Sequence, residues 1–142
     1  GVLKAESSGP DPYMFPGGEW NSVNYDPFPG DTYNILSMSV RISQAATWQV
    51  YYITVEDGGW GETQRQNFDI PAGDDFQDIE VELERGGWQG ANVSVFRIDP
   101  GTEAGIVSEI DYISFTGPPS AETAVDPQAK LATQWGRLRD AR

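Results

Sequence analysis

Short runs in which apolar and polar residues alternate are the feature of this sequence that most restricts its fold. The clearest run covers residues 36–43, and a second covers residues 78–83, where isoleucine, valine and leucine alternate with acidic residues. A period of two places successive side chains on opposite faces of a β-strand, whereas an amphipathic helix has a period of 3.6. The sequence therefore predicts strands with one buried face and one polar face.

Glycine and proline divide the chain into many such runs. The 142 residues include 16 glycines and 10 prolines, which separate the segments predicted as strands: 1–7, 32–43, 48–56, 65–70, 78–83, 92–98 and 106–115. Residues 48–56 are apolar on both faces, so we expect this strand in the interior of a sheet. Closely spaced strands joined by short turns are typical of an antiparallel sandwich. We therefore predict an all-β domain over residues 1–116, with no helix before residue 117.

The charge of the chain restricts its partners. With 22 acidic and 9 basic residues the net charge is −13, which would repel nucleic acid and anionic membranes. No apolar run approaches the roughly 18 residues that a membrane-spanning helix needs. Divalent cations and neutral ligands are compatible with this charge. An acidic, calcium-binding β-domain is expected to be secreted, because calcium is abundant outside cells.

Carboxylates gather in one part of the predicted fold. Asp99 leaves one strand, Glu103 lies in the next connection, and Glu109 and Asp111 enter the following strand. The chain contains no histidine and no cysteine, so a metal site would have only oxygen ligands, which favours Ca²⁺ over Mg²⁺. The alternative is a solvated acidic loop. The same composition excludes a Ser-His-Asp triad, and nothing singles out the paired carboxylates of a glycosidase, so we do not expect an enzyme.

Three tryptophans follow glycines in predicted turns, at Trp20, Trp60 and Trp88. Their rings could project from the scaffold and stack on the apolar faces of sugars, or they could fold back to cap the open end of the sandwich. Arg41 and Arg97 lie on the polar faces of their strands. They could bind a uronate or a sulfate group, although ion pairing with Glu80 or Glu82 is the simpler expectation.

Four motifs carry a resemblance to a known family. They are VYYITVEDGGW at 50–60, GGWQG at 86–90, FRIDPG at 96–101 and EIDYISF at 109–115. With the opening segment Ser8–Tyr13, the chain over residues 1–116 resembles the β-sandwich carbohydrate-binding modules and galactose-binding-like domains of secreted bacterial proteins. The resemblance implies a two-sheet jelly roll, a structural calcium ion near the first and last strands, and non-catalytic glycan binding in which Tyr13 joins the three tryptophans.

The calcium site of such domains uses a glutamate of the first strand and an aspartate of the last, which correspond here to Glu6 and Asp111. If these strands pair antiparallel with Val2 near Phe115, Glu6 lies near Asp111. Asp11 then lies at the end of the sandwich from which Asp99 and Glu103 also emerge. The metal ligands predicted in this way are Glu6, Asp11, Asp99, Glu103, Glu109 and Asp111.

Residues 117–142 differ in composition from the rest of the chain. A Pro-rich linker precedes Asp126-Pro127, a pattern typical of a helix start. The following segment has an apolar stripe and basic ends, and the residues predicted for self-association are Leu131, Trp135, Leu138, Arg137 and Arg139. Residues 1–116 carry 5 basic and 19 acidic residues, and residues 130–142 carry 4 basic and 1 acidic. The segment could dock on its own domain, lead to another domain, or bind a second copy.

Two functions follow from these patterns. The first is a secreted, calcium-binding module that binds polysaccharide without catalysis. The second is an extracellular structural subunit that assembles into a homo-oligomer or homopolymer through the C-terminal segment.

Overall fold

A computed structural model describes residues 1–18, 22–84 and 87–116 of the chain. These residues form eight strands: β1 (Leu3–Glu6), β2 (Phe28–Pro29), β3 (Ile35–Ile42), β4 (Ala46–Thr54), β5 (Arg65–Ile70), β6 (Gln77–Glu82), β7 (Asn92–Asp99) and β8 (Val107–Thr116). They contain no helix, and hence none that could span a membrane. The predicted C-terminal helix and the boundary at residue 117 lie outside the described residues.

The strands form two antiparallel sheets of four strands each. One sheet has the order β1-β8-β3-β6 and the other has the order β2-β7-β4-β5. All six strand pairs are antiparallel. Eight strands divided between two sheets in this order form a jelly roll, so the predicted all-β, two-sheet architecture is confirmed for the described residues.

The core lies between the inner faces of the two sheets. On β3 the alternation seen in the sequence places Leu36, Met38, Val40 and Ile42 inward, each at most 1% exposed. Trp48, Val50 and Tyr52 of β4 face them and are fully buried. The period-two interpretation of both strands is therefore confirmed. At about 25 cal/mol per Å² of apolar surface removed from water, these buried side chains are the main source of stability.

An aromatic cluster fills one part of this core. The Trp88 ring lies 5.3 Å from Phe115, 5.0 Å from Tyr52 and 5.8 Å from Phe28, measured between ring centroids. Its indole N–H donates to the carbonyl of Tyr33 at 3.1 Å. Phe28 belongs to β2, a two-residue strand that lies outside the segments predicted as strands. Strand β2 was not predicted because two residues show no periodicity. The ring contacts of Phe28 hold this strand in place.

The first and last strands pair as predicted, but in a different register. Leu3 lies opposite Ile110 and Glu6 lies opposite Val107, whereas the prediction placed Glu6 opposite Asp111. Hydrogen bonds of the buried Ser7 explain the shift. Its amide donates to the carbonyl of Ile106 at 3.0 Å, and its hydroxyl accepts from the amide of Ile106 at 3.0 Å. These bonds fix the end of β1 at the start of β8.

Strand β4 has an interior position between β7 and β5, as predicted. Its inner side chains belong to the core. Two side chains of its opposite face, Tyr51 and Ile53, are also buried, at 9% and 6% exposure. Other groups must therefore cover part of the outer face of this sheet, and these groups define the candidate site.

Candidate functional site

The outer face of the β2-β7-β4-β5 sheet, called the outer face below, presents rows of side chains that cross the strands. Tyr51 of β4 lies between Arg97 of β7 and Arg65 of β5. Two residues along the strand, Gln49 lies between Asp99 and Asn67. Because alternate residues share a face, these two rows lie side by side on the surface opposite the core.

Residues 13–15 extend the outer face beyond β7. Met14 pairs with Ile98 through two backbone hydrogen bonds of 2.8 and 3.0 Å, and its side chain packs on the core. Its neighbours therefore point outward. The Tyr13 ring is 57% exposed and lies 5.5 Å from the Phe15 ring. This segment adds two aromatic rings beside β7.

The loop between β4 and β5 brings Trp60 onto the same surface. A turn at its base joins the amide of Asp57 to the hydroxyl of Thr54 at 3.0 Å. The Trp60 ring lies 6.0 Å from the Phe15 ring and is 37% exposed. Rings from two different loops thus meet above one end of the sheet.

Arg97 lies at the centre of these rings. Its guanidinium carbon is 4.6 Å from the ring centroid of Tyr51 and 5.3 Å from the centroids of both Tyr13 and Trp60. A guanidinium group within about 6 Å of an aromatic face is attracted by the negative potential of the ring. Arg97 therefore holds together aromatic side chains that come from β4 and two loops.

Asp99 neutralises Arg97. Its Oδ2 accepts from a terminal nitrogen of Arg97 at 3.0 Å, and its side chain is only 4% exposed. Burial raises the pKa of Asp99 from 3.8 to about 6, although Arg97 acts in the opposite direction, and the charge of Asp11 adds to the rise. Asp99 Oδ1 and Arg97 Nε have no hydrogen-bond partner among the described residues.

The rest of the outer face is polar. Arg65 forms an ion pair with Glu62, and both side chains contact the hydroxyl of Tyr51 at about 3 Å. Across β4 and β5, the Thr47 hydroxyl donates to Asp69 at 2.6 Å and the Gln49 amide donates to Asn67 at 3.3 Å. Rings and exposed hydrogen-bonding groups therefore lie next to each other. This is the combination that a ligand with apolar C–H faces and many hydroxyls requires.

The six predicted metal ligands do not converge on one point. Glu6 and Asp11 line a surface cleft of about 300 Å³ between β1 and residues 11–14, and Asp11 is close enough to Asp99 to affect its pKa. Asp111 is exposed on β8, and the observed register does not place it opposite Glu6. In residues 1–18, 22–84 and 87–116, no three acidic side chains form a group that could hold a metal ion.

Two other predicted ligands have different contacts. Glu109 forms ion pairs with Arg41 and Lys4, and the hydrogen bond from Arg41 holds the pKa of Glu109 below its ordinary value. Glu103 contributes its backbone carbonyl, which accepts from the Ser7 hydroxyl at 2.6 Å. Arg41 pairs with Glu109 and not with Glu80 or Glu82 as expected, because Glu109 lies opposite it in the sheet.

The aromatic residues predicted to bind glycan lie in different environments. Tyr13 and Trp60 lie on the outer face. Trp88 is 0% exposed, so its ring has no surface for a ligand and its assignment as a glycan-binding residue is wrong. Trp20 lies outside the described residues, as do all five residues predicted for self-association. Phe15, Tyr51 and Arg65 also lie at the site, but they were not predicted as site residues. The spacing of Tyr13 and Phe15 by two residues was the available signal for Phe15.

The raised pKa of Asp99 predicts a measurable pH dependence. Between about pH 4 and pH 6 the folded protein retains the Asp99 proton, whereas the unfolded chain loses it. Stability from this group is therefore present at low pH and is lost as the pH rises through 6. The free energy of unfolding of the wild type, relative to Asp99→Asn, should fall by about 2–3 kcal/mol between pH 4 and pH 7. Urea unfolding across this range measures it.

The control is Asp75→Asn, which removes the same charge from an exposed loop. If the difference in free energy of unfolding between wild type and D99N stays constant from pH 4 to pH 7, the raised pKa assigned to Asp99 is wrong.

Comparison with known proteins finds similar solved structures. No protein-family model and no curated protein matches the sequence. The family 11 carbohydrate-binding module of a cellulosomal cellulase of Clostridium thermocellum is a similar solved structure, with TM-score 0.45 and 12% identity over 87% of this chain and 90% of that chain. A structure of a family 11 module from the same organism, in complex with a β-1,3-1,4-mixed-linked tetrasaccharide, has TM-score 0.41 and 12% identity over 82% and 88%. At this identity neither structure assigns a ligand to this chain.

Proposed function

We propose that the outer face binds a polysaccharide chain and that the protein is a secreted, non-catalytic binding module. The observation that carries the proposal is the group of exposed rings around Arg97, next to two rows of polar side chains. Tyr13 and Trp60 are 57% and 37% exposed, although burial would lower the free energy of both. Exposed aromatic residues on a rigid sheet are typical of a binding surface.

The chemistry of a sugar chain matches both parts of this surface. The C–H faces of a pyranose ring are apolar and can pack on Tyr13 and Trp60. Its hydroxyls can donate to Asp69 and to the amide oxygens of Gln49 and Asn67, and can accept from the amide N–H groups. The net charge of −13 does not repel a neutral polymer.

The position of the Trp60 loop sets the direction of the bound chain. The Trp60 ring lies 5.3 Å from the Arg97 guanidinium and 6.0 Å from the Phe15 ring, where it would block a polymer that runs along the strands. A chain that crosses the strands can pass from Tyr13 over Gln49 to Asn67. Four neighbouring strand segments at about 4.8 Å spacing span roughly 14 Å, about the length of three sugar units.

Replacing the exposed rings tests this function. Trp60→Ala and Tyr13→Ala should each weaken retention by mixed-linkage β-1,3-1,4-glucan at least about fivefold, since each removes an aromatic anchor worth more than about 1 kcal/mol. Affinity gel electrophoresis measures the retention. Circular dichroism checks that each variant is folded.

Phe76→Ala is a matched control. Phe76 is 38% exposed and has an arginine, Arg41, 4.9 Å from its ring centroid, but it lies outside the outer face. It should leave retention unchanged. Equal loss of retention in all three variants, or no loss in the two outer-face variants, contradicts the proposed face.

A non-catalytic module does not cleave its ligand. The number of reducing ends should therefore not increase when the protein is incubated with the glucan.

Calcium binding stays a prediction of the sequence. Two observations support this prediction. Glu6 and Asp11 line one cleft, and Asp11 lies near Asp99. An ion that binds only the folded state at 100 times its Kd stabilises that state by about 2.7 kcal/mol. We expect a higher Tm in millimolar Ca²⁺ than after chelation, and no increase in Glu6→Gln or Asp11→Asn. An identical Tm with and without Ca²⁺ contradicts the prediction.

Self-assembly through residues 117–142 is the second candidate function. The contrast between 4 basic residues in 130–142 and 19 acidic residues in 1–116 supports it. Sedimentation of the full chain and of a chain ending at Thr116 tests it. The full chain should form larger particles. Equal sedimentation of the two chains rules out assembly through this segment.

A further inference from the structure

The arginines of the outer face are already neutralised. Arg97 pairs with Asp99 and Arg65 pairs with Glu62. Glu62 also accepts from the hydroxyl of Tyr51 at 3.2 Å, and Tyr51 separates the two guanidinium groups in one row. An arginine that forms an ion pair with a carboxylate has little remaining attraction for an anionic ligand, because the ligand must compete with the carboxylate or accept its repulsion.

The remaining charges near this row are negative. Asp69 is exposed at the end of the polar rows, where it accepts from the Thr47 hydroxyl at 2.6 Å. Asp11 is exposed and lies near Asp99. Two arginines therefore face three carboxylates on the outer face, Glu62, Asp99 and Asp69, and Asp11 lies close by, within a chain of net charge −13. An approaching polyanion is repelled both at short range and by the field of the whole protein.

We propose that Glu62 and Asp99 are specificity-determining residues, which restrict the outer face to uncharged polysaccharides by neutralising Arg65 and Arg97. This inference rests on the proposed function and deepens it. The sequence analysis considered Arg97 as a ligand for uronate or sulfate groups. The ion pair with Asp99 assigns it instead to organising the rings that pack on a neutral sugar.

Glu62 is the better of the two positions for a test. Its side chain is 74% exposed, whereas that of Asp99 is 4% exposed, so its replacement does not disturb the core. Glu62→Gln keeps a side-chain oxygen for the Tyr51 hydroxyl and for Arg65 but removes the charge. The partner, Arg65, is 30% exposed and can then reach a carboxylate on a ligand.

The experiment compares two polymers, mixed-linkage β-1,3-1,4-glucan and polygalacturonate, with wild-type protein and E62Q. Wild type should bind the neutral glucan and bind polygalacturonate much more weakly. E62Q should bind polygalacturonate at least about fivefold more tightly than wild type at low salt, because one guanidinium group becomes available. At about 0.5 M salt this gain should disappear, since the Debye length falls to a few ångströms.

Asp75→Asn is the matched control. It removes one negative charge from an exposed loop outside the outer face, so it should give no gain on polygalacturonate. An equal gain in D75N would show that only net charge matters and would overturn the inference. Asp99→Asn provides a second variant, which should gain affinity for polygalacturonate through Arg97 if circular dichroism shows that it is folded.

Failure of the inference can be distinguished from failure of the proposed function. The inference is wrong, while the proposed function stands, if wild type binds the neutral glucan and polygalacturonate equally well. The same conclusion follows if wild type binds the neutral glucan and folded E62Q binds polygalacturonate no more tightly than wild type does. If wild type binds no neutral polysaccharide, both are wrong.

Discussion

The packing of aromatic rings around Trp88 joins the two sheets of this protein. Phe115 comes from one sheet, Tyr52 and Phe28 from the other, and Trp88 from the connection before β7. Rings of this size each bury roughly 150–250 Å² and gain further stability from edge-to-face contacts. The chain has no cysteine, so this packing must hold the sandwich together without disulfide bonds.

A rigid inner face allows the outer face of the same sheet to be polar and charged. On β4, Val50 and Tyr52 anchor the strand in the core, which fixes Tyr51 between Arg97 and Arg65 on the other side. The rings then arrive from loops that are held to the sheet by backbone pairing, as at Met14 and Ile98. Side chains supported in this way present a fixed surface to a ligand, so less conformational entropy is lost on binding.

Charge neutralisation governs the use of the acidic residues in the described part of the chain. Asp99 and Glu109 were predicted to bind a metal ion, but each has an arginine as its partner. Burying Asp99 has a cost, visible as its raised pKa, and the ion pair with Arg97 offsets part of it. The result is a surface on which guanidinium groups serve to pack aromatic rings, while the surplus of acidic residues remains exposed.

The sequence by itself determined the strands other than β2 and which side chains of β3 and β4 face the core, because alternation with a period of two is a local property of the chain. It therefore identified β3, the interior position of β4, and the inward residues of both. It also indicated Trp60 by its Gly-Gly-Trp turn, and the resemblance to carbohydrate-binding modules indicated Tyr13. Only the tertiary structure decided the register of β1 against β8, the pairing of Arg97 with Asp99, and the burial of Trp88. These depend on contacts between residues far apart in the chain, such as Ser7 with Ile106 and Trp88 with Tyr33, and no local pattern encodes such contacts. For the same reason two tryptophans in similar Gly-Gly-Trp turns have opposite environments, Trp60 on the outer face and Trp88 in the core.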